Sequence, residues 1–287
     1  MQSRRAHYAV PREDFDEAAK AHRASLSQNF LVNIDAIDEF LHACGDLSDT
    51  TVVEVGPGSG ALTHLLAAKA ARVIAIEKDP ELAVALTKKM HMFNNLEITT
   101  ADFLEYALPD TVGEYALIAN PPFSIMTALL KKALLAQNPP ESVVLVSQRE
   151  AAERFIMRHR SYEFGLHIAP WFESEIVFDF QPTDFAPQPG VPTVLLRMRR
   201  RQYRFAEAVY EHPDAYRAFV SFVFHAQKED MYHALKSVVT FEQWKRMTKD
   251  LRVPRDTTAT DLLPEQWAEL FDRVMRFVPP EKRAIFL

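Results

Sequence analysis

A chain of 287 residues, 48% hydrophobic and 25% charged, has the length for one large core with a smaller appendage, and no run approaches the roughly 20 apolar residues that cross a bilayer. Its net charge of −6 requires any surface that meets nucleic-acid phosphate to concentrate its lysines and arginines. The single cysteine, Cys44, excludes an internal disulfide and a thiolate metal cluster and fits a reducing compartment.

Residues 1–24 are polar and alternate in charge, as at Arg4, Arg5, Glu13 and Asp14, without the apolar core of a signal peptide. A flexible arm on a cytoplasmic protein is expected. From Asn33 onward Ile34, Ile37, Phe40 and Leu41 recur at helical spacing. Short β-branched runs at 51–55, 72–76, 96–99, 115–119 and 142–146 then alternate with helical patterns at 62–70, 80–90, 125–136 and 150–158. Such alternation predicts an α/β domain built on a doubly wound, mostly parallel sheet. Two later runs, 175–180 and 193–198, have no helix between them and are expected to form an antiparallel, hairpin-like addition at the sheet edge. After Arg204 the strand patterns stop, and 205–210, 215–225, 231–239, 241–247 and 264–275 read as helices bounded by Pro213, Pro254 and Pro264. The expected organisation is an arm (1–24), a sheet domain (25–203) and a small helical domain (204–287).

Only seven glycines occur, and three of them, Gly56, Gly58 and Gly60, follow the strand at 51–55. Glycines there let the backbone turn tightly and approach a ligand at the C-terminal edge of a sheet, beside a helix N-terminus. Glu77, ending the next strand, suits a ribose diol, because its two oxygens accept both hydroxyl hydrogen bonds. Gly56-x-Gly58-x-x-Ala61 also satisfies the looser dinucleotide fingerprint, so these features point to a nucleoside-bearing cofactor without naming it. Asp102, after the third strand, either accepts from an adenine amino group or caps the turn that follows it.

Ile118-Ala119-Asn120-Pro121-Pro122-Phe123 follows the fourth predicted strand and so falls at the same sheet edge. An adenine amine is a poor nucleophile because its lone pair is delocalised into the ring. A side-chain amide oxygen from Asn120 and the carbonyl of φ-locked Pro121 have the chemistry to accept its hydrogens while Phe123 offers a stacking face. The ten histidines show no paired spacing on a helix face, and no metal is expected. Two basic runs, one of Arg197, Arg199, Arg200, Arg201 and Arg204 and one of Arg149, Arg154, Arg158, His159 and Arg160, are either nucleic-acid contacts or solvated faces.

At these residues the sequence resembles the KsgA/Erm family of rRNA adenine N6-methyltransferases over nearly its whole length after the arm. Ser27-Gln28-Asn29-Phe30-Leu31 is similar to the family's N-terminal signature, residues 54–63 to its glycine motif, Ile76-Glu77 to its ribose-binding acid, and Asp102 and Asn120 to its adenine-binding acid and catalytic amide. Ser147-Gln148-Arg149-Glu150 and the segment 185–191 look like two further family segments. The resemblance implies a Rossmann-like class I methyltransferase fold with S-adenosylmethionine held by Asn29, Leu31, Gly56, Gly58, Glu77, Asp102 and Asn120. Catalysis would fall to Asn120, Pro121 and Phe123, and the helical domain would help hold the RNA. Residues 196–201 and 265–271 look more like the Erm branch, which modifies 23S rRNA in macrolide resistance, whereas residues 224–235 are reminiscent of KsgA, which acts on 16S rRNA. Pro122 stands where these RNA enzymes usually carry Ile or Leu. The expected partner is therefore ribosomal RNA, 23S ahead of 16S, with no membrane, no metal and a monomeric enzyme.

Overall fold

The structure, a computed structural model, describes residues 29–157 and 160–286. The expected arm, with Ser27, Gln28, Arg158 and His159, lies outside the described residues. The chain divides into two compact units. One comprises the described residues up to Pro140 with Val144–Ser147 and Phe178–Leu195, and the other comprises Glu141–Val143, Gln148–Val177 and the residues from Leu196 onward.

In the first unit, β1 (Phe30–Leu31) leads into α1 (Ile34–Cys44), where the Asn33 side chain caps the first turn by accepting from the Asp35 backbone N–H. Then come β2 (Thr51–Val55), α2 (Ala61–Lys69), β3 (Arg72–Glu77), α3 (Pro80–Lys89), β4 (Leu96–Thr100), β5 (Tyr115–Ala119) and α4 (Met126–Leu134). Asp79 caps α3 through the backbone N–H groups of Glu81 and Leu82, and Pro80 occupies its first turn, where a missing N–H is harmless. The remaining strands are β6 (Ser142–Gln148), β7 (Phe172–Phe180), β8 (Phe185–Ala186) and β9 (Thr193–Arg200). Among the described residues seven strands form one sheet in the order β4-β3-β2-β5-β6-β9-β7, while β8 pairs with β1.

Register decides where the loops emerge. β2 runs parallel to β3 and β5 with Val55 opposite both Ile76 and Ala119, and Glu77 of β3 stands opposite Thr100 of β4. The glycine loop, Glu77, Asp102 and Asn120 therefore all leave the sheet at one edge. They surround the place where successive strands begin to be laid down on the other side of β2, the usual ligand crevice of such sheets.

The runs at 175–180 and 193–198 are hydrogen-bonded neighbours, with β7 outermost and β9 packed between it and β6. Burial explains the order: Val194, Leu195 and Leu196 are fully buried, as an inner strand requires, whereas in β7 only the end residues Phe172 and Phe180 are buried and those between are half-buried or exposed. Helix α5 (Arg149–Ile156) falls on the helical pattern expected at 150–158, whereas α6 (Glu163–Ile168) had no sequence expectation, being too short to show a period.

In the second unit the later helices are α7 (Glu207–Glu211), α8 (Pro213–His225), α9 (Met231–Leu235), α10 (Phe241–Leu251), α11 (Pro264–Phe277) and α12 (Pro280–Arg283). Their core is aromatic: Tyr216, Phe219, Trp244, Trp267 and Phe271 are fully buried. The two indoles lose no hydrogen bond on burial, since Trp244 Nε1 donates to the Arg255 carbonyl at 2.9 Å and Trp267 Nε1 to the Ala259 carbonyl at 3.2 Å. Each such side chain contributes on the order of 3 kcal/mol.

Candidate active site

All three glycines of the loop after β2 adopt positive φ, a region that other residues enter only at a cost. At two of them an added side chain would also force a neighbour to shift. A Cβ on Gly58 would stand 2.8 Å from the Phe30 ring, and one on Gly60 would stand 2.3 Å from Leu86. The loop is pinned by Glu77, which is 3% exposed and accepts from the Gly58 N–H at 3.0 Å through Oε2 and from the Asp79 N–H at 3.0 Å through Oε1. Glu77 thus shapes the loop while keeping one further lone pair on each oxygen.

A cleft opens beside this loop, lined by Asn29, Phe30, Leu31, Glu54, Gly56, Ser59 and Asn120, among others. Four sequence-expected residues, Asn29, Leu31, Gly56 and Asn120, come together there. Gly58 and Glu77 stand behind the lining, Gly58 beneath the Phe30 ring. Asp102 sits at the end of β4, where Oδ1 caps the turn by accepting from the Leu104 N–H at 2.9 Å and Oδ2 accepts from Lys78 at 2.8 Å. The Lys78 ammonium, and next the Leu104 amide, hold its carboxyl below the usual carboxylate value. Pro121 is buried, and half-buried Phe123 opens the short 3₁₀ turn that leads into α4.

Asn120 is oriented by the opposite end of the unit's sequence. Its Nδ2 donates to the Asn29 carbonyl at 2.8 Å. A carbonyl only accepts, so the amide nitrogen faces Asn29 and Oδ1 is turned away as an acceptor. The short strand that follows Asn29 is itself held by a buried acid. Asp184, 3% exposed, accepts from Asn33 Nδ2 at 2.6 Å and from the Gln181 N–H at 2.8 Å, and its carbonyl accepts from the Val32 N–H at 2.8 Å.

Glu54 is the lining residue that the sequence reading passed over. It is 2% exposed on β2, and its Oε2 has no hydrogen-bond partner among the described residues. Burial pushes its carboxyl up to about 8, against the Thr63 hydroxyl and with the charge of Glu77 adding to the rise. The signal was present as an acid inside the otherwise apolar run Val52-Val53-Glu54-Val55, since buried carboxyls without a partner mark sites.

The sequence profile of ribosomal RNA adenine dimethylase matches residues 19–276. The chain belongs to the ribosomal RNA adenine dimethylase family. An rRNA adenine N-6-methyltransferase of Bacillus licheniformis is 28% identical over 258 residues, covering 89% of this chain and 88% of the relative. A ribosomal RNA small subunit methyltransferase A of Rhodopseudomonas palustris (strain BisB5) is 40% identical over 191 residues, covering 63% and 67%. Among solved structures, the 23S rRNA methyltransferase ErmE matches with a TM-score of 0.76 at 28% identity, over 86% of this chain and 100% of that one. A dimethyladenosine transferase from Plasmodium falciparum shares the fold, with a TM-score of 0.69 at 19% identity over 90% and 100%.

This family member is an rRNA adenine N6-methyltransferase, and its methyl donor is S-adenosylmethionine. The residues present fit that donor. It carries a sulfonium and an ammonium cation, and the cleft presents a buried carboxyl oxygen of Glu54, without a hydrogen-bond partner among the described residues, whose ionised form a cation would favour. Beside it Gly56 leaves open space where a side chain would project.

Proposed function

We propose that this enzyme, acting in the cytoplasm as a monomer, methylates N6 of an adenine in 23S rRNA and thereby confers macrolide-lincosamide-streptogramin resistance. The support is a likeness to ErmE that extends over 86% of this chain, together with the Erm-like segments 196–201 and 265–271. Action on 16S rRNA in small-subunit maturation is the alternative, favoured by the 40% identity of the small-subunit enzyme over its shorter match. Residues 25–203 are assigned to catalysis and 204–287 to holding RNA.

S-adenosylmethionine supplies an electrophilic sulfonium methyl when bound. Asn29, Leu31, Gly56, Gly58, Glu77, Asp102 and Asn120 are assigned to hold it, with Glu54 facing its positive charge. The orientation of Asn120 carries the chemical assignment: with Nδ2 engaged by Asn29, Oδ1 is presented as an acceptor for an N6 hydrogen. The Pro121 carbonyl takes the second hydrogen, which favours a pyramidal nitrogen whose lone pair has left ring conjugation. Phe123 stacks on the extruded base and excludes water from one side. Positioning and electrostatics thus supply most of the rate.

Mapping N6-methylated adenines in 23S and 16S rRNA transcripts, with and without the purified protein, tests the substrate. Modification confined to 23S rRNA is expected. Modification confined to 16S rRNA would transfer the assignment to small-subunit maturation, and modification of neither would remove both.

A further inference from the structure

The rRNA substrate is a polyanion and this chain carries a net charge of −6, so contact depends on where cations remain unneutralised. The arginine run at 197–204 is largely paired within the protein: Arg197 with Glu175 at 2.7 Å, Arg200 with Glu141 at 3.4 Å, Arg201 with Glu173 at 3.1 Å and Arg204 with Glu207 at 3.2 Å. In the other run, Arg149 and Arg154 meet Glu153 and Glu150. A phosphate would have to displace these carboxylates.

Helix α10 differs. Lys245, Lys249 and Arg252, spaced by four and three, share one exposed stripe along the helix and its C-cap, with Arg246 beside them and Arg255 just beyond. Among the described residues Arg246, Lys249, Arg252 and Arg255 have no acidic partner, and Lys245 reaches only Glu242, at 4.0 Å. Asp250, the acid within this stretch of the helix, instead meets Arg273 on α11 at 3.4 Å. The opposite face is anchored by buried Trp244, Met247, Thr248 and Leu251, so the stripe is held on a rigid support. At its N-terminal end, one turn before Lys245, Phe241 is 48% exposed, its ring edge-on to Tyr232 at 5.3 Å.

We propose that this stripe binds the phosphate backbone of the rRNA substrate, with Phe241 as the stacking face for an unpaired base. Five cations within residues 245–255, set against acids that elsewhere neutralise their neighbours, concentrate positive charge as an acidic RNA-binding protein requires. An exposed aromatic at the end of a basic track adds the sequence-tolerant stacking that single-stranded RNA takes up.

The test is the salt dependence of binding to protein-free 23S and 16S rRNA transcripts by the combined variant Lys245→Gln, Lys249→Gln and Arg252→Gln. Thermal melting and S-adenosylmethionine affinity serve as folding checks. A control removes the same charge elsewhere through Lys69→Gln, Lys88→Gln and Lys282→Gln. The slope of log affinity against log salt should become shallower by about 2 to 3, from 0.7–0.9 per lost phosphate contact, and affinity at 0.15 M salt should fall on the order of tenfold or more. The RNA concentration that half-saturates methyl transfer should rise in step with the loss of affinity. A slope equal to the parent's, or the same change in the control, would overturn the proposal.

Discussion

Burial at the end of β2 keeps the Glu54 carboxyl protonated at a pH where an exposed glutamate is ionised, its pKa pushed up to about 8 chiefly by desolvation. Between the ordinary value of 4.5 and about 8 the folded protein binds more protons here than the unfolded chain. This group's contribution to stability therefore declines as pH rises through that window and levels off above about 8. Glu54→Gln removes the titration, so its melting temperature should gain on the parent's between pH 5 and 8 by scanning calorimetry. A cation entering the cleft favours the ionised acid, so S-adenosylmethionine should bind the parent more tightly at pH 7 than at 5.5. The variant should lose that dependence and bind more weakly by about 1 to 3 kcal/mol, the worth of a charged hydrogen bond. Equal calorimetric profiles for parent and variant would detach Glu54 from the cofactor. At Asn120 the expected effect is on chemistry. Asn120→Ala should reduce methyl transfer about a hundredfold or more, as loss of one preorganised polar contact does, with a smaller loss of cofactor affinity, since Asn120 is one of several residues assigned to hold the donor. Phe123→Leu keeps bulk without the ring face and should weaken the flipped adenine by roughly 1 to 3 kcal/mol. Both variants methylating rRNA at the parent rate, once folding is verified, would make the 120–123 loop structural.

At the scale of elements, the two-residue strands β1 and β8 matter more to the site than their length suggests. Their pairing, Phe30 with Ala186 and Leu31 with Phe185, lays Asn29 on Asn120 and Phe30 on Gly58. The clasp is Asp184 with Asn33. Asp184→Asn alone leaves the amide unable to accept from both Asn33 and the Gln181 N–H, and Asn33→Asp alone sets two carboxylates face to face. Each single change should lower kcat and cofactor affinity together and cost about 1 to 3 kcal/mol of stability. The double exchange restores a donor opposite an acceptor, keeps an oxygen for Gln181, and retains a residue at 33 that caps α1. Most activity should therefore return in the double variant, measured beside both singles. A double variant no better than the worse single would reduce Asp184 to a generic buried acid. Neither short strand was visible beforehand, because two residues carry no period, whereas the strands from 51 to 146 announced themselves by β-branched runs between turn residues.

For the whole molecule, the sequence by itself determined what depends on neighbours along the chain. The strand-helix alternation predicted the sheet, the glycine cluster located its ligand-facing loop, and Asn120-Pro121-Pro122-Phe123 after a strand located the candidate chemistry. These are local properties: side-chain periodicity, positive φ and a φ-locked carbonyl are set within a few residues. Only the tertiary structure decided which charges remain to meet a partner. Arg197 is paired with Glu175 and Arg201 with Glu173, residues 22 and 28 positions away, because two strands became neighbours, while the less conspicuous cations of α10 found no such acids among the described residues. The same holds for Glu54 and Asp184, whose chemistry comes from desolvation and from donors 151 and 3 residues distant along the chain in the case of Asp184. Sequence spacing records what the backbone does locally, whereas burial and ion pairing depend on strand order and register, which bring together groups that the chain itself keeps far apart.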